Sequence, residues 1–350
     1  MANKIPVAVL GATGAVGQRF VQLLEHHPWF TLAEVAASER SAGKPYNRAT
    51  RWFLPGDVPE AVGRLIVSNA AAPLTAPILF SGLDGEVAGE IEPYHAGRGH
   101  LVVSNTKSFR MQADVPLLIP EVNPDSLALL SRQTWAAGGG GIITNPNCSV
   151  VGLAMALAPL QTAFGIESVV VTTLQALSGA GHPGVASLDA LGTVIPFIGG
   201  EEEKIETEPL KILGAAFPIS VSVNRVPVRD GHTESVFVKL RRRATLAEIG
   251  AALREFSGEP QQRKLPSSPE HPIVVIDAVD RPQPLRDVER EKGMAVFVGN
   301  LRADPVYDAK FTLLVHNTIR GAAGAALLNA ELLVARGLVR GASIPEGASS

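Results

Sequence analysis

An apolar run, a glycine-rich loop and a helical pattern follow one another at the start of the chain, and this order constrains the fold most. Ile5–Leu10 predicts a short buried β-strand, which Gly11 ends. Gly17–His26 predicts a helix, because its apolar residues recur on one face. A buried strand that turns through glycines into a helix is typical of the first unit of a nucleotide-binding α/β domain.

Further apolar runs continue this pattern along the first half of the chain. Phe30–Ala37, Ile78–Ser81, Leu101–Ser104 and Leu117–Ile119 each predict a buried strand. Strands that alternate with helices predict a parallel, doubly wound sheet, so the fold class is α/β with an N-terminal Rossmann-type domain.

The pattern changes after the glycine run Gly138–Gly141, where we place the crossover between two domains. Longer β-rich runs such as Val169–Leu174 predict a mixed sheet with helices on one face. We therefore predict a dinucleotide-binding domain over residues 1–147 and an α+β catalytic and dimerisation domain over residues 148–317. A C-terminal helix at about 318–340 is expected to pack back onto the first domain.

The composition excludes several classes of protein. The 350 residues carry a net charge of −3, so there is no basic excess to hold nucleic acid or a membrane surface. The single cysteine excludes an internal disulfide, and the eight histidines lack metal-ligand spacing. No apolar stretch approaches the ~20 residues that span a bilayer. We expect a cytoplasmic protein without a metal, a nucleic-acid partner or a membrane partner.

The glycine-rich loop has the spacing G-x-x-G-x-x-G between Gly11 and Gly17. Glycines permit a tight turn and let the backbone approach a pyrophosphate, which the free N–H groups of the following helix attract. A glycine turn without a ligand is the alternative, and the strand before and helix after disfavour it. The predicted cofactor contacts in this loop are Gly11, Thr13, Gly14, Ala15 and Val16.

The end of the second predicted strand bears on which dinucleotide binds. An NAD site usually carries an acidic residue there, to hold the ribose 2′-hydroxyl. Here Ser38, Arg40 and Ser41, with Lys44, can surround a 2′-phosphate, whereas Glu39 favours NAD if it points inward. We predict NADP, with NAD as a weaker alternative.

Cys148 is the candidate nucleophile. It follows Asn147 and precedes the apolar run Val150–Leu160, which predicts a helix with the cysteine in its first turn. The N–H groups there favour a thiolate and can hold an oxyanion. A small buried hydrophobe is the alternative for a lone cysteine.

A nearby base would decide between these alternatives. A histidine can deprotonate a thiol and later protonate an alkoxide. His232 lies just before a predicted strand, where catalytic side chains gather, although Asp230-Gly231 is also turn chemistry. His182 and His316 are candidates too.

The motifs together resemble the aspartate-semialdehyde dehydrogenase family over roughly residues 5–338. Residues 194–198 followed by Glu201-Glu202-Glu203-Lys204 resemble its archaeal and fungal branch. The matching segments, in chain order, are Gly11–Gly17, Ser104–Arg110, Pro120–Asn123, Asn147–Ser149, Gln175, Ser178–Gly181, Glu208-x-x-Lys211 and Arg225 to His232.

The resemblance implies a role for each matching substrate residue. Gln175 is similar to the residue that orients the substrate beside the thiol, and Arg225 to the arginine that grips the substrate carboxylate. Glu208 resembles the partner of the substrate ammonium. Arg110 and Lys211 resemble the cations of the phosphate site. Surface ion pairing is the alternative for the arginines, and Glu208 and Lys211 have the spacing to pair with each other.

The resemblance also implies the reaction. Cys148 would be the acyl-thioester nucleophile and His232 the acid/base, with Asn147 polarising the carbonyl. The implied cofactor contacts from the second half of the chain are Ser178, Gly179 and Asn317. The enzyme would reduce L-4-aspartyl phosphate to L-aspartate 4-semialdehyde with NADPH, in lysine, threonine and methionine biosynthesis.

Other readings remain open beside this one. A malonyl-CoA reductase shares the fold and the cysteine chemistry, and so does an N-acetyl-glutamyl-phosphate reductase, whose acylated nitrogen needs no carboxylate partner. A catalytically silent nucleotide-binding protein is the alternative of another class. The resemblance implies a homo-oligomer, either a dimer or a tetramer.

Overall fold

Two six-stranded sheets organise the computed structural model, which describes residues 4–345. The first sheet has the order β3-β2-β1-β4-β5-β6 and the second has the order β10-β11-β12-β9-β7-β8. The strands are β1 Ile5–Leu10, β2 Phe30–Ala37, β3 Ser68–Asn69, β4 Ile78–Ser81, β5 Leu101–Ser104, β6 Gly141–Thr144, β7 Ile166–Gln175, β8 Ile219–Arg225, β9 His232–Leu240, β10 Ile273–Ile276, β11 Val296–Ala303 and β12 Ala309–Val315.

The helices connect and cover these sheets. The α-helices are α1 Ala15–Leu24, α2 Tyr46–Ala49, α3 Glu60–Gly63, α4 Gly85–Ala96, α5 Cys148–Phe164, α6 Ser187–Ala190, α7 Glu201–Leu213, α8 Leu246–Arg254, α9 Glu259–Gln262, α10 Pro284–Asp287 and α11 Gly324–Ala335. A π-helical turn, Ile319–Ala323, precedes α11, and the 3₁₀ segments are Pro124–Arg132, Ala136–Gly138, Leu177–Ala180 and Arg290–Gly293. Within residues 4–345, no helix is both long and apolar enough to cross a membrane.

All strand pairs of the first sheet are parallel, as the alternating pattern predicted. The β1–α1 turn needs glycine because the backbone is crowded there. Gly11 has a φ of +73°, and a Cβ at Gly17 would lie 2.1 Å from the carbonyl oxygen of Gly11. The loop therefore brings the N-terminus of α1 to the carboxyl edge of the sheet.

The predicted strand Leu117–Ile119 is wrong. This segment makes a single parallel bridge, from Leu117 to Thr144 of β6, and no continuous ladder. Pro116 and Pro120 bracket it, and proline has no N–H to extend a ladder on either side.

The second sheet is mixed, which confirms the predicted fold class. The β7–β8 and β10–β11 pairs are parallel, and the other three pairs are antiparallel. Helix α5 is buried along almost its whole length against this sheet, in the apolar cluster that also includes Val171, Val236 and Phe311. The sheet and α5 together carry the segments that form the candidate site.

The C-terminal segment packs into the core of the first sheet. Leu328 and Leu332 are fully buried in the same cluster as β1 and β4. Glu331 of α11 accepts a hydrogen bond from His27 and others from Ser267, a residue that follows α9. The helix ends at Ala335, earlier than the predicted 340, because Gly337 turns the chain with a φ of +68°. The domain boundaries at 147 and 317 stay a prediction.

Glu234 is an exception in the apolar face of β9. Its side chain is fully buried on the same side as Val236 and Val238, and neither carboxyl oxygen has a hydrogen-bond partner among residues 4–345. Burial raises the pKa of Glu234 well above its ordinary value. Between the pKa of Glu234 in the unfolded chain and its higher pKa in the folded protein, Glu234 is therefore protonated when folded and ionised when unfolded.

We expect Glu234→Gln to stabilise the protein, and more so as pH rises. The unfolded chain loses the Glu234 proton above about pH 4.3, so the stability of the parent falls from there up to the folded-state pKa. Glutamine has no proton to lose, so the stability advantage of the variant is expected to grow as pH rises from about 4.3 towards the folded-state pKa of Glu234. Urea unfolding at a series of pH values measures the difference. A difference that is the same at low and neutral pH would contradict it.

Candidate active site

Cys148 is the first residue of α5, as the sequence predicted, and it is half-buried. Asn147 is the N-cap, and its side-chain oxygen accepts hydrogen bonds from the backbone N–H groups of Ser149 and Val150 at 2.9 and 3.5 Å. The cap therefore orients the first turn of α5, in which Cys148 lies.

Gly321 allows the chain to pass close behind the cysteine. A Cβ at position 321 would lie 2.8 Å from the Cβ of Cys148. The Gly321 N–H donates a hydrogen bond to the carbonyl oxygen of His316, five residues earlier, as is typical of a π-helical turn. Such turns are frequent at functional sites. The glycine pattern of residues 319–336 predicted a helix here, but no local signal indicated contact with residue 148.

His232, the first residue of β9, lies beside the thiol. Its Nε2 is 3.2 Å from the Sγ of Cys148, and its Nδ1 accepts a hydrogen bond from the Ala176 N–H at 3.0 Å. The other two candidates lie elsewhere: His182 stacks on Phe53, and Nε2 of His316 is 3.4 Å from a carboxyl oxygen of Glu289. Of the three histidines, His232 is thus the one that contacts the sulphur.

The protonation of this pair differs from the sequence prediction. Burial raises the pKa of the Cys148 thiol to about 12, and the Glu201 carboxylate adds to the increase, while Arg110, Arg225 and Lys204 oppose it. The helix N-terminus was predicted to favour the thiolate, whereas burial favours the neutral thiol. Burial likewise lowers the pKa of His232 to about 3, helped by Arg225.

Gln175 and Arg225 end two neighbouring parallel strands, which places them side by side. They are register partners at the carboxyl ends of β7 and β8, and both are buried. The Arg225 Nη1 donates to the Ala176 carbonyl oxygen at 2.7 Å. A Cβ on Gly179 would lie 2.8 Å from that nitrogen and 3.2 Å from Nε2 of His232, so this glycine keeps the space beside both side chains open.

Glu201 contacts Gln175, and the sequence analysis did not assign Glu201 a role in the site. It accepts hydrogen bonds from Asn147 Nδ2 at 2.9 Å, from Gln175 Nε2 at 3.4 Å and from Lys204 Nζ at 2.6 Å. Burial acts to raise the pKa of Glu201, but these donors outweigh it and the pKa is lowered. The site therefore holds an ionised carboxylate close to Cys148.

The predicted positions of Glu208 and Lys211 require a correction. Glu208 accepts from Arg110 Nη1 at 3.0 Å and from the Asn147 N–H at 2.7 Å, so it supports the site from behind. The Lys211 ammonium donates to three carbonyl oxygens, those of Arg110, Gln112 and Val115, at 2.6 to 3.0 Å. Lys211 has no N–H left for a phosphate, because all three brace the 110–115 loop.

A different lysine lines the cavity that contains Arg110. This cavity has a volume of about 220 Å³, and Lys204, Lys107 and Arg110 contribute its positive charge. Glu201-x-x-Lys204 has the same spacing as Glu208-x-x-Lys211, seven residues earlier on α7. Residues seven positions apart lie on the same face of a helix, so either Glu–Lys pair could face the site. The repeated spacing was therefore visible in the sequence, but it could not indicate which of the two pairs contacts the site.

The glycine-rich loop forms one wall of an opening near the site. Gly14 is the N-cap of α1 and has no side chain, so the first N–H groups of the helix are free of a side-chain cap. Ala15, with Leu177, Ser178 and His182, lines a cavity of about 350 Å³ between this loop and the second sheet. Uncapped N–H groups beside a cavity are the arrangement that a pyrophosphate requires.

The remaining predicted cofactor residues lie in the glycine-rich loop, in α1, after β2 and after β12. Thr13 and Val16 are half-buried in the loop and in α1, and Ser38, Arg40 and Ser41 follow the carboxyl end of β2, together with an exposed Glu39 and an exposed Lys44. Asn317 bridges two segments, because it donates to Ser178 Oγ at 2.8 Å and accepts from the Gly231 N–H at 2.9 Å. The described part of the chain contains no group of three or more metal-ligating side chains.

Comparisons with known proteins show which family this chain resembles. A family model described as "Semialdehyde dehydrogenase, NAD binding domain" matches residues 6–130, and one described as "Semialdehyde dehydrogenase, dimerisation domain" matches residues 157–320. The aspartate-semialdehyde dehydrogenase of Methanothermobacter thermautotrophicus is 48% identical over 94% of this chain and 99% of its own.

Relatives from fungi are nearly as similar. The aspartate-semialdehyde dehydrogenase of Cryptococcus neoformans is 45% identical, over 96% of this chain and 99% of its own. The crystal structure of the Candida albicans enzyme with NADP superimposes with a TM-score of 0.89 at 39% identity, covering 96% of this chain and 100% of the other. The chain belongs to the aspartate-semialdehyde dehydrogenase family.

Proposed function

We propose that this protein reduces L-4-aspartyl phosphate to L-aspartate 4-semialdehyde and phosphate, through a thioester on Cys148. The observation that carries the proposal is the 3.2 Å contact between the Cys148 sulphur and His232, with charged groups of both signs around it. An acyl phosphate of an amino acid carries a carboxylate, an ammonium and a phosphate, and the site offers a partner to each.

The partners follow from charge and position. Arg225 suits the carboxylate, because among residues 4–345 only its Nη1 donates a side-chain hydrogen bond, and the rest of the planar guanidinium remains for the substrate. Glu201 suits the ammonium, since it is ionised and close to Gln175 and Asn147. We assign this role to Glu201 in place of Glu208. Arg110 and Lys204 suit the phosphate, in place of the predicted pair of Arg110 with Lys211.

In the proposed reaction Cys148 attacks the acyl carbon and phosphate leaves, so the acyl group is held as a thioester. Gln175 and Asn147 orient the acyl carbon beside the sulphur. After reduction, the thiohemiacetal on Cys148 collapses to the aldehyde, and His232 is placed to assist at the sulphur or the oxygen. The backbone N–H groups of Ser149 and Val150 donate to the Asn147 side chain, so we do not assign the carbonyl oxygen to them.

NADP is the cofactor we propose, with NAD as the weaker alternative. When bound, it supplies the hydride. The uncapped N-terminus of α1 and the glycine backbone fit its pyrophosphate, and Ser38, Arg40 and Ser41 suit a 2′-phosphate. The similar structure from Candida albicans is described with NADP.

The family relation also supports an assembly and a location. We propose a homo-oligomer, a dimer or a tetramer, because the model that matches residues 157–320 is described as a dimerisation domain. The unpaired cysteine is suited to the reducing cytoplasm. Small molecules are the proposed partners, as one similar structure from Vibrio cholerae, 28% identical with a TM-score of 0.78, is described as complexed with ASA.

Lys204→Met is expected to raise the KM for phosphate by about 10-fold to 100-fold in the reverse reaction, because a charge-assisted contact worth about 1.5–3 kcal/mol is lost. Lys211→Met is the matched control, seven residues away on the same helix. It is expected to raise that KM less than Lys204→Met does, because its ammonium bonds to carbonyl oxygens of the 110–115 loop and acts on the phosphate site only through that loop. A larger KM effect from Lys211→Met than from Lys204→Met would contradict our assignment.

The test of the function is the reverse assay with L-aspartate 4-semialdehyde, phosphate and NADP, following NADPH by absorbance. Phosphate-dependent NADPH formation is expected, and repetition with NAD measures the cofactor preference. If activity appears only with malonyl-CoA and NADPH, the substrate assignment is wrong while the thioester chemistry stands. No activity with either substrate would favour a silent nucleotide-binding protein.

A further inference from the structure

A closed ring of hydrogen bonds joins the turn before α5 to the segment that follows β5. The Asn145 Nδ2 donates to Oδ1 of Asn105 at 2.8 Å, and the Asn105 carbonyl oxygen accepts from Arg110 Nη2 at 2.9 Å. Glu208 accepts from Arg110 Nη1 at 3.0 Å and from the Asn147 N–H at 2.7 Å. The backbone from residue 145 to residue 147 completes the ring. The Arg110 guanidinium therefore has a fixed position relative to the turn that leads to the nucleophile.

The orientation of the two asparagine amides in this ring follows from neighbouring carbonyl groups. Asn145 Nδ2 also lies 3.0 Å from the Ala322 carbonyl oxygen, and Asn105 Nδ2 lies 3.2 Å from the Ser81 carbonyl oxygen. A carbonyl oxygen only accepts, so each amide must turn its NH2 group towards it. Asn145 is then the donor and Asn105 the acceptor in the bond between them, as the ring requires.

The ring lies largely in the interior of the protein. Asn145, Arg110 and Glu208 are buried, and Asn105 is half-buried. Asn145 Oδ1 accepts a further hydrogen bond from Asn329 Nδ2 of α11 at 2.6 Å. The Asn145 side chain cannot turn without breaking its bonds to α11 and to the π-helical turn, so it is a rigid anchor for the ring.

We propose that Asn145 is a positioning residue, which through Asn105 holds the phosphate-binding Arg110 at the separation from Cys148 that the reaction needs. This inference deepens the proposed function and rests on it. In an acyl phosphate one oxygen joins the phosphorus to the acyl carbon. The cation that binds the phosphate and the sulphur that attacks the carbon must therefore keep a matching separation. A misplacement of about 1 Å between such groups costs on the order of 100-fold in rate.

The step that depends on this separation is the exchange between the thioester and the acyl phosphate. In the reverse direction, an oxygen of hydrogen phosphate forms a bond to the thioester carbon and the C–S bond breaks. The electron pair of that bond leaves on the Cys148 sulphur, and the proton of hydrogen phosphate ends on the sulphur. The oxidation of the aldehyde is complete before this step, so the two can be measured separately.

Two substitutions of Asn105 test the ring, because they differ in whether it stays closed. Both remove the Asn105 NH2 group and its bond to Ser81. Asn105→Asp keeps an oxygen that accepts from Asn145, whereas Asn105→Leu has none and opens the ring. Local charge acts in the opposite direction, because the added carboxylate repels phosphate. Tighter phosphate binding by Asn105→Asp than by Asn105→Leu is therefore expected from the ring alone.

Phosphorus-31 NMR titration of the full-length, resting protein with inorganic phosphate measures this binding. We expect Asn105→Leu to bind phosphate about tenfold more weakly than the parent, the size of one charge-assisted contact, and more weakly than Asn105→Asp. Asn145→Asp places two acceptors opposite each other and is expected to weaken binding as Asn105→Leu does. The Asn105 pair decides the question even if Asn145→Asp does not fold. Equal or tighter binding by Asn105→Leu than by Asn105→Asp would overturn the proposal.

Rapid mixing with L-aspartate 4-semialdehyde and NADP adds a readout that separates positioning from a general loss of packing. The burst of NADPH without phosphate measures thioester formation, and the phosphate-dependent turnover measures attack on the thioester. For Asn105→Leu we expect a burst rate within about threefold of the parent, and a fall of about 10-fold to 100-fold in kcat/KM for phosphate. An equal fall in both would contradict the positioning role. A parent without a burst would contradict the proposed function, and the phosphate titration would still decide the role of Asn145.

Discussion

Replacement of Cys148 by serine is expected to reduce kcat by about 10⁴-fold to 10⁶-fold, the range seen when a covalent nucleophile is removed. A hydroxyl is far less acidic than a thiol, and the site already raises the pKa of the thiol to about 12, so the alkoxide is almost inaccessible. The change replaces one atom in a half-buried side chain, so folding and NADPH binding are expected to persist. Steady-state kinetics of the reverse reaction measure the loss.

Ser149→Ala is the matched control for this variant. Ser149 is the next residue of α5, and its hydroxyl is buried without a hydrogen-bond partner among residues 4–345. It is expected to keep kcat within about threefold of the parent, because it only removes that hydroxyl. NADPH titration should yield similar dissociation constants for both variants and the parent. Near-normal turnover by Cys148→Ser would rule out the thioester mechanism.

Glu121→Gln is expected to destabilise the protein by about 3–5 kcal/mol. The Glu121 carboxylate accepts two parallel hydrogen bonds from Arg320, at 2.9 and 2.7 Å, and both side chains are fully buried. Glutamine leaves the Arg320 guanidinium buried without a counter-charge. An unpaired buried charge destabilises the folded state by more than the intact ion pair stabilises it. Arg320 lies in the π-helical turn beside Gly321, so kcat is expected to fall together with stability.

The double variant Glu121→Gln, Arg320→Met separates the charge from the packing. Methionine keeps much of the side-chain volume and removes the buried cation, so this variant is expected to recover most of the lost stability. Urea unfolding of the parent, the single variant and the double variant measures the recovery. A single variant within about 1 kcal/mol of the parent, or a double variant that recovers nothing, would contradict the proposed cause.

Features that depend on neighbouring residues were accessible from the sequence. The strand–glycine–helix order at residues 5–26 predicted the first βα unit, because buried strands and helix faces have their own periods and tight turns need glycine. Asn147 before an apolar helix placed Cys148 in the first turn, since capping is a local interaction. The ordered motifs identified the family, which the comparisons confirm.

Features that depend on distant contacts were decided only by the tertiary structure. Cys148 and His232 are 84 residues apart, so no local pattern could choose His232 over His182 or His316. The choice of Glu201 and Lys204 over Glu208 and Lys211 depends on which turn of α7 contacts the site residues. The pKa of the Cys148 thiol likewise depends on burial and on the nearby Glu201 carboxylate, which no local pattern reveals. Local order and spacing therefore determined the fold and the chemical groups, whereas the folded chain determined which groups meet and how much water surrounds them.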